Sequence, residues 1–150
     1  MKSMKALFAT DGSDSARRAG DYLRDLATAF ERCEVVVLHV LRPPTYWLAP
    51  NEIGAVASGE LMAQLLETAR DEGKTIASRS AASFEAAGCK AQGLIAEGDP
   101  ASEILAVAEA EKVDMIVMGS RGMSPIQGLL LGSVTDRVLH QGEVPTLVIP

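Results

Sequence analysis

Asp114–Thr135, DMIVMGSRGMSPIQGLLLGSVT, is the stretch whose reading decides the fold. Met115-Ile116-Val117-Met118 is an unbroken apolar run of strand length, the signature of a strand buried on both faces of a parallel sheet. Gly119, Gly122 and Gly132 punctuate the residues after it, and Ser133-Val134-Thr135 then open a helical pattern. Glycine lets backbone pass close to a ligand, and a helix N-terminus offers N–H donors and a partial positive charge. A strand, a glycine loop and a Ser-capped helix therefore read either as tight turns or as a cradle for an anion.

Upstream, the chain repeats this alternation. Ala6-Leu7-Phe8-Ala9 is a first strand ending at the turn residues Thr10-Asp11-Gly12-Ser13. Ala16, Ala19, Leu23, Ala27 and Phe30 recur at helical spacing, which predicts an amphipathic helix over about 14–30. Glu34–Val40 is β-branched and almost wholly apolar, a central parallel strand. The pattern fails from Arg42 to about Gly59, where Pro43, Pro44, Pro50, Gly54 and Gly59 leave a long connection carrying Trp47. Such a connection reads either as a lid or as a surface loop with a short helical turn. Glu60–Ala87 is the longest helical candidate, weakened at Gly73 by about 1 kcal/mol relative to Ala. Gly73-Lys74-Thr75 is no phosphate loop, because position 68 is Thr and the surroundings are mid-helix. Ala91–Glu97 is a weaker strand, interrupted by Gly93 and suited to a sheet edge. Asp99 and Pro100 then cap and open a helix that stops near Lys112. After the opening stretch, a helix over about 133–141 ends at Gly142, and Thr146-Leu147-Val148-Ile149 makes a fifth strand. Strict alternation of this kind predicts an α/β fold with a parallel sheet and helices on both faces.

Composition narrows the function. A chain of 150 residues fits a single domain, 1–150, able to bury about 68–70% of its unfolded surface. A net charge of −6, a pI near 4.9 and no cluster of Lys and Arg argue against a nucleic-acid surface. No apolar run reaches membrane-spanning length and no signal-peptide pattern opens the chain, so a cytoplasmic protein is expected. Cys33 and Cys89, far apart in sequence, read as buried reduced thiols, with a disulfide as the lesser alternative. His39 and His140 lack the neighbours of a metal site and read as structural.

Gly119-x2-Gly122-x9-Gly132-Ser133, taken with Ala9-Thr10-Asp11-Gly12-Ser13, Leu38-His39-Val40, Glu97-Gly98-Asp99-Pro100 and Val144-Pro145-Thr146-Leu147-Val148, resembles the universal stress protein family over the whole chain. The glycine pattern is similar to that of the branch that binds ATP. The resemblance implies an open five-stranded parallel sheet of order 3-2-1-4-5, Rossmann-like and close to the adenine nucleotide alpha hydrolases. It also implies a nucleotide at the carboxyl ends of the first and fourth strands, where strand order reverses and a crevice opens. Carried over by motif, Asp11 would lie near ribose and phosphates and help hold Mg2+ or Mn2+. Val40 and Met118 would border the adenine, Ala9 would sit where the family often has a small residue or proline against the base, and Thr10 would belong to the same nucleotide site. Gly119, Gly122 and Gly132 would pass beside ribose and phosphates, and Ser133, Val134 and Thr135 would present N–H groups and hydroxyls to the phosphate chain. Arg121 is open between phosphate partner and solvated loop residue. Taken alone, Val40 and Met118 also read as core, and Asp11 and Ser133 as helix caps.

The function implied is a nucleotide-dependent stress-response module with slow ATP hydrolysis at most, since the motif holds no general base, water-positioning residue or arginine finger. An ATP-dependent adenylating enzyme is the alternative from catalysis. Thr10-Asp11-Gly12-Ser13-Asp14-Ser15 only partly matches the corresponding S-G-G-x-D-S loop, and the chain has no additional domain to form an acceptor site. A dimeric interaction protein taking AMP, cyclic AMP or no nucleotide is the third reading. Val144–Ile149 lies at a sheet edge, and the resemblance implies a homodimer built by pairing that edge.

Overall fold

Val35, Val36, Val37 and Leu38 are almost completely buried, and their side chains divide between two separate apolar clusters. That division is what a strand with a helical layer on each side requires. A computed structural model describes residues 2–43, 49–56, 59–122 and 131–150. Its elements run β1 (Ser3–Ala9), α1 (Asp14–Ala27), β2 (Arg32–Leu41), α2 (Pro50–Val56), α3 (Glu60–Ala86), β3 (Lys90–Glu97), α4 (Pro100–Glu111), β4 (Met115–Gly119), α5 (Ser133–Gln141) and β5 (Thr146–Ile149). The sheet order is β3-β2-β1-β4-β5, with every neighbouring pair parallel. The fold is Rossmann-like α/β, as expected.

Alternation along β1 sets the two layers. Met4, Ala6 and Phe8 pack with Ala19, Leu23 and Ala27 of α1 and with Ala77, Ala81 and Phe84 of α3. Leu7 and Ala9 point the other way, onto Ala101, Ile104 and Ala108 of α4 and Val138 of α5. Phe8 and Phe84 meet edge to face at 5.6 Å between ring centroids, the favoured aromatic geometry, and the Arg24 guanidinium lies 5.3 Å from the Phe84 centroid.

One boundary differs from the sequence reading for a local reason, and two other features gain one. α1 ends at Ala27 rather than Phe30, because Ala29 N and Phe30 N turn back to Leu26 O and Ala27 O in a tighter final turn. The connection after β2 contains a helix, α2, before whose start Ala49 N donates to Glu52 Oε2 at 3.1 Å. Trp47 and the rest of 44–48, on which a lid would depend, lie outside the described residues. Finally, Gly73 and Gly93 are demanded by packing: a Cβ would lie 2.8 Å from His39 Cδ2 at the first and 2.9 Å from the Ala77 backbone at the second. Both glycines let α3 press onto β2 and β3, so the helix-weakening residue is a contact point. β3 does occupy a sheet edge, as does β5. Among the described residues no helix is long and apolar enough to cross a membrane.

Candidate nucleotide site

β1 and β4 lie side by side, and the chain leaves them toward opposite edges of the sheet, so a crevice opens beyond their carboxyl ends. β1 delivers Ala9, Thr10 and Asp11 to one side of it. Thr10 is buried and fixed from three directions: its N–H donates to Leu38 O at 2.9 Å, its Oγ1 accepts from Gly12 N at 3.2 Å, and its carbonyl meets His39 Nδ1 at 2.9 Å. His39 thus has the structural part expected of it. Asp11 Oδ1 accepts from Ser13 N at 2.9 Å, closing the turn that Gly12 makes at φ +78°. The cap of α1 is Ser13, whose Oγ accepts from Ala16 N at 3.2 Å, and this overturns the reading of Asp11 as the capping residue.

β4 delivers Met118 and Gly119 to the other side. Gly119 has a packing reason for lacking a side chain, because a Cβ would lie 2.3 Å from Ser15 Oγ and 2.7 Å from the Ser15 carbonyl carbon. Gly122 is different. Among the described residues its Cβ would meet just the end of a side chain, Asp11 Oδ2, at 3.0 Å, so this glycine leaves room beside the carboxylate. Gly132 returns to the same place: its N–H donates to Ser120 O at 2.7 Å, and a Cβ there would lie 3.4 Å from Arg121 Cα. Residues 123–130, between these two pinned ends, lie outside the described residues. The Arg121 side chain is exposed while its N–H reaches Ser15 Oγ at 3.5 Å.

α5 begins on Gly132, and among the described residues no side chain caps it. Ser133 is the first helical residue and exposed, which corrects its reading as the cap. The N-terminal amides of the helix are therefore aimed past Gly132 with their partial positive charge uncompensated by a capping side chain. Thr135 is buried, and its Oγ1 donates to Gly119 O at 2.9 Å, locking this turn of helix to the end of β4. On the apolar side, Ala9 and Met118 are buried in one cluster to which Val40 and Val134 are joined. Of the residues singled out from sequence, Asp11, Gly122 and Gly132 lie close together with Ser133 next in the chain, while Ala9, Val40, Met118 and Val134 belong to one apolar cluster of the core.

Two features were missed. Ser15 and Ser120 are buried hydroxyl residues that knit the loop together, Ser15 Oγ donating to Ile149 O at 3.2 Å and Ser120 N to the same carbonyl at 2.8 Å. Arg137 of α5 donates through Nη1 to both carboxylate oxygens of Asp99, each at 2.8 Å. Asp99 also caps α4, accepting from Ser102 N at 3.0 Å, as its position before Pro100 foretold. The Ser102 hydrogen bond first, and then Arg137, hold the Asp99 carboxyl down at about 2. Among the described residues no cluster of three or more His, Cys, Asp or Glu forms a metal site of protein groups alone.

Comparison with known proteins agrees with the fold and the motifs. Residues 3–150 match the model of the universal stress protein family. The chain is 34% identical over 145 residues to universal stress protein MJ0531 of Methanocaldococcus jannaschii, covering 97% of this chain and 81% of that one. The solved structure of MJ0577, from the same organism, superposes with a TM-score of 0.81 at 33% identity, over 97% of this chain and 94% of that one. A universal stress protein solved in complex with cAMP is similar in fold, with a TM-score of 0.60, 24% identity and coverage of 99% and 98%. By motif, by sequence and by fold, the chain belongs to the universal stress protein family.

Proposed function

We propose that this chain is a cytoplasmic, nucleotide-dependent stress-response module that binds ATP with a divalent cation in the crevice between β1 and β4. The observation that carries the reading is the start of α5 on Gly132 without a side-chain cap, beside the space that Gly122 leaves at Asp11. An anion is the natural complement of such a helix end. The apolar cluster of Ala9, Val40, Met118 and Val134 at the carboxyl ends of β1, β2 and β4 and the start of α5 would suit the flat face of a base. Mg2+ or Mn2+ fits this donor set because such ions are commonly held by one or two carboxylates together with phosphates and water, and Asp11 supplies one carboxylate. When bound, the cation would neutralise phosphate charge. Asp11 positions itself through the Ser13 hydrogen bond, Thr135 locks the helix end to β4, and Gly122 admits the phosphates. Hydrolysis is slow in this reading, since Asp11 is committed to its turn and to the cation rather than to activating water.

The cAMP-bound relative of similar fold gives a specific rival, a cyclic or monophosphate ligand in the same crevice. Competition among ATP, ADP, AMP and cAMP, with and without Mg2+, separates them. Preference for ATP that depends on Mg2+ supports the proposal, and equal or tighter binding of cAMP without Mg2+ contradicts it. β5, at the sheet edge, serves a homodimer by antiparallel pairing with a second copy. Sedimentation of the full chain at micromolar concentration should give a dimer; a monomer there would refute this part.

A further inference from the structure

Cys33 and Cys89 stand 56 positions apart in the chain but immediately precede Glu34 and Lys90, which are Cα partners in the parallel pairing of β2 with β3. Continuing that register by one residue sets the two cysteines opposite each other on the same face of the sheet. Strands in a sheet lie about 4.7–4.9 Å apart, within the span of about 4.4–6.8 Å between Cα atoms that a disulfide bridges. The side chains are in fact neighbours. Both join the apolar cluster beneath α1 and α3, and both are free thiols. Their surroundings differ in a useful way. Cys89 is buried, whereas Cys33 is half-buried and lines an open cavity of about 490 Å³ at the amino end of the sheet, along with Lys5, Glu34 and Lys90.

We propose that Cys33 and Cys89 form a reversible dithiol–disulfide couple that staples the start of β2 to the start of the edge strand β3, with Cys33 as the entry thiol. The oxidant is a small-molecule disulfide reaching Cys33 through the cavity. The Cys33 thiolate attacks one sulfur of the oxidant, breaking its S–S bond and releasing one small thiolate, which takes up the proton Cys33 lost. Cys89, deprotonated in turn, attacks the mixed disulfide at the Cys33 sulfur and displaces the second small thiolate, which takes up the Cys89 proton. The protein has then lost two protons and two electrons, and one small disulfide has become two small thiols.

Closure is slow by construction. Burial first, and then the adjacent Cys89, push the Cys33 thiol up to about 12, so its thiolate is scarce at neutral pH. The pair is therefore a slowly set staple and not a rapid peroxide sensor. The loop it closes contains α2 and α3, so a cross-link there restricts the unfolded chain over a long segment. It lies at the amino end of the sheet, opposite the crevice, and should leave nucleotide binding unchanged.

The test uses the full chain equilibrated with oxidised glutathione, then blocked with N-ethylmaleimide. Expected are a monomer lighter by two hydrogens, a Cys33–Cys89 linked peptide, and a Tm raised by about 5–10 °C that dithiothreitol reverses. A Cys89→Ser chain treated alike should stop at one glutathione on Cys33. Both cysteines still alkylated after prolonged oxidation, bridges only between chains, or a lowered Tm would each overturn the proposal.

Discussion

The helices α1, α3, α4 and α5 all follow strands of one parallel sheet, and their first turns are not built alike. Ser13 caps α1 and Asp99 caps α4, each with a side-chain oxygen on a backbone N–H, whereas α3 starts on Gly59 and α5 on Gly132 with no such bond, and of these two it is Gly132 that returns beside Gly122 and Asp11. A helix end with a side-chain cap satisfies part of its own amides. One that must receive an anion leaves them to the ligand, and the surrounding structure has to hold it in place by other means. Here Thr135 on Gly119 O and Arg137 on Asp99 do so from within the helix, anchoring α5 without obstructing its N-terminus.

The glycines divide the same way, and the largest expected effect comes from testing that division. Gly119→Ala would press a methyl group into the backbone of α1 at Ser15 and Ala16, and should destabilise the chain by about 3 kcal/mol in urea titration. Gly122→Ala, meeting the movable end of Asp11 among the described residues, should change stability by less than about 0.5 kcal/mol. Equal costs at the two positions would erase the distinction.

Next come the caps. Ser13→Ala and Asp99→Ala should each cost about 1–2 kcal/mol, with Asp99→Ala the larger because it also frees Arg137. Acid sharpens the second case. The Asp99 carboxyl is lowered from 3.8 to about 2, so its contribution is complete above about pH 4 and is lost as pH falls toward 2. The stability gap between the wild type and Asp99→Asn should accordingly narrow over that interval. A constant gap would mean that Asp99 acts through packing alone.

The smallest stability effect is expected at the uncapped end. Ser133→Ala should shift stability by less than about 0.5 kcal/mol while weakening nucleotide binding about tenfold, the loss of one hydrogen bond to a charged group. A stability loss like that of Ser13→Ala would show Ser133 to be a cap after all.

The sequence made some of this visible and hid the rest for identifiable reasons. Buried strands such as Val35–Leu38 announce themselves because a strand covered on both faces must be continuously apolar. Alternation of strands and helices carried the fold class, and the family resemblance carried the strand order. Asp99 before Pro100 revealed its cap, since both residues act within one turn. For Gly119, spacing does not say which neighbour a missing Cβ would strike, and here it is α1. Ser133 was one residue out of phase with the true N-cap, a difference that depends on the backbone angles of Gly132. Arg137 and Asp99, 38 residues apart, meet only because α4 and α5 share a face of the sheet.

The central claim, that the Asp11–Gly122 space admits the phosphates of a nucleotide, is tested most directly by what the purified protein carries and binds. Wild type and Gly122→Asp would be denatured, the released small molecules identified by chromatography and mass, and each protein titrated with ATP and Mg2+. The account predicts ATP bound by the wild type, carried or added, and by a folded Gly122→Asp at least about 100-fold more weakly, since a second carboxylate would stand beside Asp11. A wild type that carries no nucleotide and binds none added, or a folded variant that binds ATP as well as the wild type, would contradict it.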